Sequence, residues 1–258
     1  MMENVLLDVS GIRIGRRLTC DALQFFAGQQ IHLLGPNGSG KSTLLAALAD
    51  AVRYDGQIRY RGTDLKTIPK RQQAQFRAYL TQTTDCVPVM TVFQYLQLYM
   101  PVVQENTQLI YQLCGDFQLE LLLPRMLTQL SGGEWQRVKI AAIFLQLWTT
   151  GDLSGKYLLL DEPRNHLDIT QQAMLDKWIA RFCEQRGTII TSGHDLNHSY
   201  LHADAVVLLK AGQVLAAGET QMVMTEDILS ELFQSEIKSI RPTQETQWQI
   251  TDWHQQQR

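Results

Sequence analysis

No apolar run in the 258-residue sequence is long enough to cross a bilayer. The longest, VKIAAIFLQLW at residues 138–148, falls well short of the ~20 apolar residues that a spanning helix needs, and Lys139 interrupts it. The opening MMENVLLDVS has no basic stretch followed by an apolar core, so no secretory signal is expected. Cysteine is scarce. Cys20, Cys86, Cys114 and Cys183 show no CxxC spacing and no histidine at metal spacing. That argues against a disulfide framework or a zinc ribbon and for a reducing, cytosolic setting. Positive charge is not in excess either. The formal net charge is −3, and basic residues come only in short pairs such as Arg16-Arg17 and Lys70-Arg71, which read as solvated surface. Binding nucleic acid through its phosphates is therefore not expected.

What remains is an ordinary globular composition, 45% hydrophobic and 19% charged, in a chain long enough for one large domain. NVLLDVSGIRI and QQIHLLG read as strands, DGQIRYRG as a short strand between turns, and FRAYLTQ as a strand ending at Gln82. The character then changes. From residue 83 to about 155 the pattern is mainly helical, as in TVFQYLQLYM and NTQLIYQLCGDF, with Pro88, Pro101 and Pro124 as punctuation. KYLLLDEP is a continuous apolar run of the kind buried on both faces of a parallel sheet. A helix (TQQAMLDKWIARFCEQ), a strand (GTIITSGHD) and a hairpin around Ala211-Gly212 follow. In the polar tail the middle alternates like an edge strand, and the last five residues read as loose. The expected fold is α/β: residues 1–82 and 156–258 as a core with an N-terminal antiparallel β portion, interrupted by a helical subdomain at 83–155.

GPNGSGKS, residues 35–42, matches G-x-x-x-x-G-K-[ST], and it stands where that motif must, after a strand and opening a helix. Gly35, Gly38 and Gly40 let the backbone wrap closely and aim N–H groups at phosphate oxygens. The helix start adds its positive dipole end. Lys41 supplies a cation to the β- and γ-phosphates, and the Ser42 hydroxyl can ligate Mg²⁺. With Pro36, Asn37, Ser39 and Thr43 these residues form the candidate ATP site. Asp161, at the end of KYLLLDE, suits a water-linked contact to Mg²⁺. Glu162 beside it is the candidate base for the attacking water. Together the motifs indicate a nucleotide triphosphatase or kinase without saying what the energy drives.

LSGGEWQR, residues 130–137, is harder to place. Ser131 and Glu134 fit the capping box S-x-x-E, which is an ordinary helix start. Gly132 and Gly133, however, cost roughly 1 kcal/mol each against alanine in a first turn. They are explained if a ligand must approach the backbone there. No cation of the helix completes such a site, so it reads as half of one.

In this combination the sequence resembles the nucleotide-binding subunits of ABC transporters. LSGGEWQR is similar to their signature motif, and the resemblance covers nearly the whole chain. It implies a RecA-like core, ATP and Mg²⁺, and a head-to-tail dimer in which Ser131, Gly132, Gly133, Glu134 and Asp168 reach the nucleotide of the opposite copy. It further implies that Gln82 is the glutamine linking the Mg²⁺ and water site to a membrane partner. RNHLD, residues 164–168, would be the loop crossing the dimer, and His194 in TSGHDLNH the histidine at the γ-phosphate. CVPVMTVFQYLQLYM, residues 86–100, would be the groove for a membrane subunit, or ordinary helical core. Implied partners are a second copy, two polytopic permease subunits and, indirectly, a periplasmic binding protein, at the cytoplasmic face of a bacterial inner membrane.

There are departures from the family. GIRIGRRL, residues 11–18, offers no aromatic for adenine to stack on; Arg13 or an isoleucine stands there. Arg164 replaces a smaller residue, and Gly193 replaces Ser or Thr before the histidine. Within the family, Trp135, the run VKIAAIFLQ, the extension LWTTGDLSGKY, QQAMLDK and HDLNH most resemble the branch serving vitamin B12 (cobalamin) import. Importers of iron–siderophores or haem share the same machinery. A soluble ABC ATPase would more often carry two cassettes or a long coiled coil, and a P-loop kinase has no need of LSGGEWQR or His194.

Overall fold

The computed structural model describes residues 4–82, 87–100, 107–148, 151–240 and 247–252. Aliphatic residues alternate with polar ones through an N-terminal hairpin, β1 (Val5–Ile14) and β2 (Leu18–Phe26). The sequence hides β2, because Asp21 and Ala22 are both exposed and break its alternation. Then come β3 (Gln30–Leu34), α1 (Lys41–Leu48), β4 (Asp55–Tyr60), β5 (Thr63–Asp64), α2 (Lys70–Phe76) and β6 (Arg77–Leu80). Helices α3 (Val92–Tyr99), α4 (Thr107–Asp116) and α5 (Gly132–Leu147) fill the chain before β7 (Tyr157–Leu160). Next are α6 (Ile169–Glu184), β8 (Thr188–Ser192), α7 (Leu196–His202) and the hairpin β9 (Ala205–Lys210) and β10 (Gln213–Glu219). The chain closes with α8 (Thr220–Val223), α9 (Glu226–Phe233), β11 (Glu236–Ile240) and β12 (Gln247–Asp252).

One ten-stranded sheet runs β5-β4-β1-β2-β10-β9-β3-β8-β7-β6. Its centre is parallel, from β9 through β3, β8 and β7 to β6, and its N-terminal wing is antiparallel. This is the α/β architecture the patterns predict. The apolar run of β7 is continuous because both faces are covered. Leu158 and Leu160 join the helical core with Phe144, Trp178 and Phe182, whereas Tyr157 and Leu159 join the core under β1, β2 and α1. Each fully buried side chain of this kind stabilises by about 1.5–3 kcal/mol.

Two details depart from the expectation. The strand read as ending at Gln82 ends at Leu80, which leaves Gln82 free of the ladder. The alternating tail forms β12, but its partner is β11 in a separate two-stranded sheet. The final residues, and Cys86 of the expected groove, lie outside the described residues.

One buried polar group sets an acid limit. His32 in β3 is 2% exposed, with Nδ1 2.8 Å from Ser199 Oγ and Nε2 2.9 Å from Gln30 Nε2. Burial, followed by the neighbouring His198 and His202, pushes its pKa from 6.5 down to about 3. The folded chain thus keeps this ring neutral while the unfolded chain protonates it. Stability from this group is full above about pH 6.5 and falls, by up to ~1.4 kcal/mol per pH unit, as the pH drops toward 3. Urea midpoints should therefore decrease between pH 7 and pH 5, and His32→Gln should flatten part of that slope; an unchanged slope in the variant would remove His32 as its source.

Candidate functional site

The fully buried β3 delivers the chain to Gly35. There φ is +150°, and a Cβ would lie 2.1 Å from the Leu209 carbonyl oxygen, so no other residue fits. The loop then turns into α1. Gly40 caps that helix without any side-chain hydrogen bond. In contrast, α3, α5 and α6 each start with a capping box. The first N–H groups of α1 are thus left to a ligand, at the positive end of the helix dipole. Ser39 Oγ is buried with no hydrogen-bond partner. Lys41 is also buried, and its Nζ donates to the carbonyls of Gly35 (2.7 Å) and Pro36 (3.0 Å). Burial lowers its pKa, while the Glu162 and Asp161 carboxylates act in the opposite sense.

Asp161 follows β7 directly and continues its ladder, its N–H donating to Leu80 O at 3.0 Å. Its Oδ1 accepts from Ser42 Oγ at 3.0 Å and Ser192 Oγ at 2.7 Å, which fixes the carboxylate beside the phosphate loop. Glu162 turns sharply away, with φ +48°. Its N–H is held by Ser192 Oγ at 2.9 Å. Its carboxylate contacts Gln82 Nε2 at 2.6 Å, Asn165 Nδ2 at 2.6 Å and His194 Nε2 at 2.5 Å. The strained turn therefore aims the carboxylate across the cleft at residues from three separate segments.

The cleft encloses about 790 Å³. Asn37, Gly38, Ser39, Gly40, Lys41, Ser42, Thr43, Gln82, Glu162 and His194 all line it. Pro36 joins through its carbonyl on Lys41, and Asp161 through Ser42. The oxygen donors gathered here, a hydroxyl, an amide and a carboxylate, suit a hard cation such as Mg²⁺. Four lining residues were not foreseen: Arg16, Arg17, Ala211 and Gly212. The arginine pair, read as solvated surface, sits in the turn joining β1 to β2. That turn is tied to the phosphate loop through Gly212, whose N–H donates to Ser39 O and whose carbonyl accepts from Thr19 N. Recognising Gly15-Arg16-Arg17 as a hairpin turn would have found them. Arg13 does not reach the cleft; it lines another groove, with Asp50, Tyr54 and Lys66.

Residues 19–165 match the family described as ABC transporter. Over 250 residues the chain is 44% identical to the vitamin B12 import ATP-binding protein BtuD of Photorhabdus laumondii, covering 96% of this chain and 99% of that one. It is 45% identical to the protein of the same description from Yersinia pseudotuberculosis, with 96% and 98% covered. The chain belongs to the ABC transporter ATP-binding family. As an ABC ATPase it binds and hydrolyses ATP. Solved structures agree in fold. An ATP-binding subunit of an ABC transporter superposes with a TM-score of 0.72 at 25% identity, covering 84% of this chain and 91% of that one. CbiO1 of Clostridium perfringens, part of the transporter complex cbiONQ, gives 0.68 at 22%, with 89% and 94% covered.

In this ABC ATPase the signature segment is absent from its own cleft. Ser131, Gly132, Gly133 and Glu134 are not among the lining residues. Ser131 caps α5, with Glu134 N–H on Ser131 Oγ at 3.3 Å and Ser131 N–H on Glu134 Oε2 at 2.7 Å. The Ser131 backbone hydrogen bond is the leading cause that keeps the Glu134 carboxyl below its ordinary pKa. Gly133 also answers to its own chain. A Cβ there would lie 2.8 Å from the His166 carbonyl oxygen, and nearby Gln136 Nε2 donates to Pro163 O at 2.9 Å. A ligand's approach to the backbone was the reason expected for these glycines, whereas the close approach present at Gly133 is made by the chain itself. Asp168 lies outside the cleft too, capping α6 through Gln171. Trp135 packs edge-on against Tyr95, with ring centroids 5.0 Å apart, at the margin of the helical core.

Proposed function

We propose that the chain is the ATP-hydrolysing subunit of a vitamin B12 importer. The cargo rests on the relatives at 44–45% identity that span nearly the whole chain and are described as vitamin B12 import proteins. In this reading the glycine-rich loop and α1 hold the ATP phosphates, with Lys41 supplying charge. Ser42 and Gln82 would hold Mg²⁺, with Asp161 acting through a water. When bound, such an ion would supply positive charge against that developing on the phosphates. Glu162 takes the proton of the attacking water, and His194 contacts the γ-phosphate.

A second copy completes each site. A cleft that lacks any signature residue of its own supports this reading, since Ser131, Gly132, Gly133, Glu134 and Asp168 are then free to serve the opposite copy. Residues 83–155 act as a helical subdomain against the core of 1–82 and 156–258, and they pass dimer closure to two permease subunits. A periplasmic binding protein would deliver cobalamin to the complex. The chain would sit peripherally on the cytoplasmic face of the inner membrane, consistent with the lack, among the described residues, of any helix long and apolar enough to cross one.

Uptake of labelled cobalamin tests the cargo. Cells lacking the gene should lose uptake, and the chain should restore it, whereas Glu162→Gln should not. Normal cobalamin uptake alongside lost siderophore-iron or haem uptake would reassign the cargo and leave the ATPase reading intact.

A further inference from the structure

Glu162 and His194 also wall a second, smaller cavity of about 220 Å³. Its lining includes a charged cluster for which the hydrolysis chemistry above has no use. Arg164, two residues after Glu162, brings Nη1 to Asp176 Oδ1 and Oδ2 (2.7 and 2.6 Å) and to His198 Nε2 (2.8 Å). Its Nη2 donates to Gln172 Oε1 at 2.8 Å, and Gln172 donates to the Leu167 carbonyl at 3.0 Å. His198 Nε2 lies 3.1 Å from Asp176 Oδ1. Burial alone would raise the Asp176 pKa, but the neighbouring His198 and Arg164 hold it below the ordinary value. Charge-assisted contacts of this kind are the strong ones, and they are not screened as exposed pairs are. Asp176, His198 and His202 carry the donor types of a metal site. The guanidinium already occupies the place between Asp176 and His198 that a cation would take.

The helix reached by this clasp starts two residues after His194. α7 is capped by Asp195, the residue after His194. Three consecutive residues then tie it to three elements. Asn197 pairs with the Trp248 backbone in β12, its Oδ1 accepting from Trp248 N at 2.6 Å and its Nδ2 donating to Trp248 O at 3.4 Å. His198 enters the clasp. Ser199 Oγ bonds His32 in β3, the strand that leads into the phosphate loop. His194 cannot shift far without moving α7.

We propose that Arg164 is a positioning residue for ATP hydrolysis. Through Asp176 and His198 it fixes the turn carrying Glu162 to the helix following His194, so that carboxylate and imidazole move as one unit. The proposal rests on the reading of Glu162 and His194 as hydrolytic residues. The test is ATP turnover by the full chain carrying Arg164→Ala, Asp176→Ala, both together, or Arg164→Lys, with Glu162→Gln as control.

Arg164→Ala should lower kcat about 10- to 100-fold, the scale of a small misplacement of reacting groups. KM for ATP should stay within about 2-fold, because no phosphate contact is touched. The single variants strand a half-buried charge and should lower Tm. The double variant removes both charges and should recover Tm but not kcat, falling no lower than the worse single. Arg164→Lys should restore only part of kcat, since an ammonium cannot serve Asp176, His198 and Gln172 together. A double variant with wild-type kcat, or a loss confined to KM, would overturn the clasp. If Glu162→Gln itself leaves turnover intact, the underlying reading of the site fails instead.

Discussion

Glu162→Gln should lower ATP turnover by roughly 10²–10⁴-fold while leaving ATP bound. The amide keeps the size of the carboxylate but cannot take a proton. The contacts proposed to hold the phosphates come from the loop at 35–43 and from α1, none of which the substitution alters. Nor should the fold suffer, because the strained φ of +48° at residue 162 is imposed by the backbone N–H on Ser192 and by the turn that follows. The chain should therefore accumulate as an ATP-loaded dimer, measurable as retained nucleotide after gel filtration and as a doubled mass in light scattering. Turnover at the normal rate would mean that the proton goes elsewhere, and Asp161, held by Ser42 and Ser192 in the same cleft, would be tested next.

Ser131→Arg should abolish turnover, by at least about 100-fold, without weakening nucleotide binding to the single chain. Two effects are separable here. Losing the cap of α5 costs about 1 kcal/mol, which the melting temperature of Ser131→Ala measures. The arginine adds bulk and charge at an exposed position outside the lining of the chain's own cleft, where in the proposed dimer it would face the other copy. Equilibrium binding of a slowly hydrolysed ATP analogue, compared with turnover in the same preparation, decides between the two. If the single chain binds the analogue more weakly, the signature serves its own nucleotide and the arrangement with a second copy is wrong. If Ser131→Ala loses as much activity as the arginine, the missing hydroxyl and not the added bulk accounts for the loss.

The parts of the site that were legible in the sequence are contiguous. Residues 35–43 carry their meaning in spacing, and Asp161 and Glu162 take theirs from the apolar run of β7, whose burial on both faces the structure bears out. Gln82 and His194 needed the family resemblance, since nothing in their local sequence says that both will reach the Glu162 carboxylate. Arg16 and Arg17 are exposed, as their pairing suggested, but they also line the cleft. That place was not legible because it depends on the β1–β2 turn, and β2 was hidden by its exposed Asp21 and Ala22. The Arg164 cluster was illegible because its partners lie 12 and 34 residues away, joined only when α6 and α7 pack beside the turn.

The contact between Gly133 and the His166 carbonyl bears on how this chain can vary over time. The segment at 130–137 and the loop at 164–168 are read as the two things one copy offers to the other, and here they lean on each other within a single subunit. Neither can drift on its own. A side chain at 133 requires the backbone at 166 to give way, and a rebuilt loop at 166 loses its seat on α5. The pair should therefore be inherited together, and a lesion in one should show the symptoms of a lesion in both.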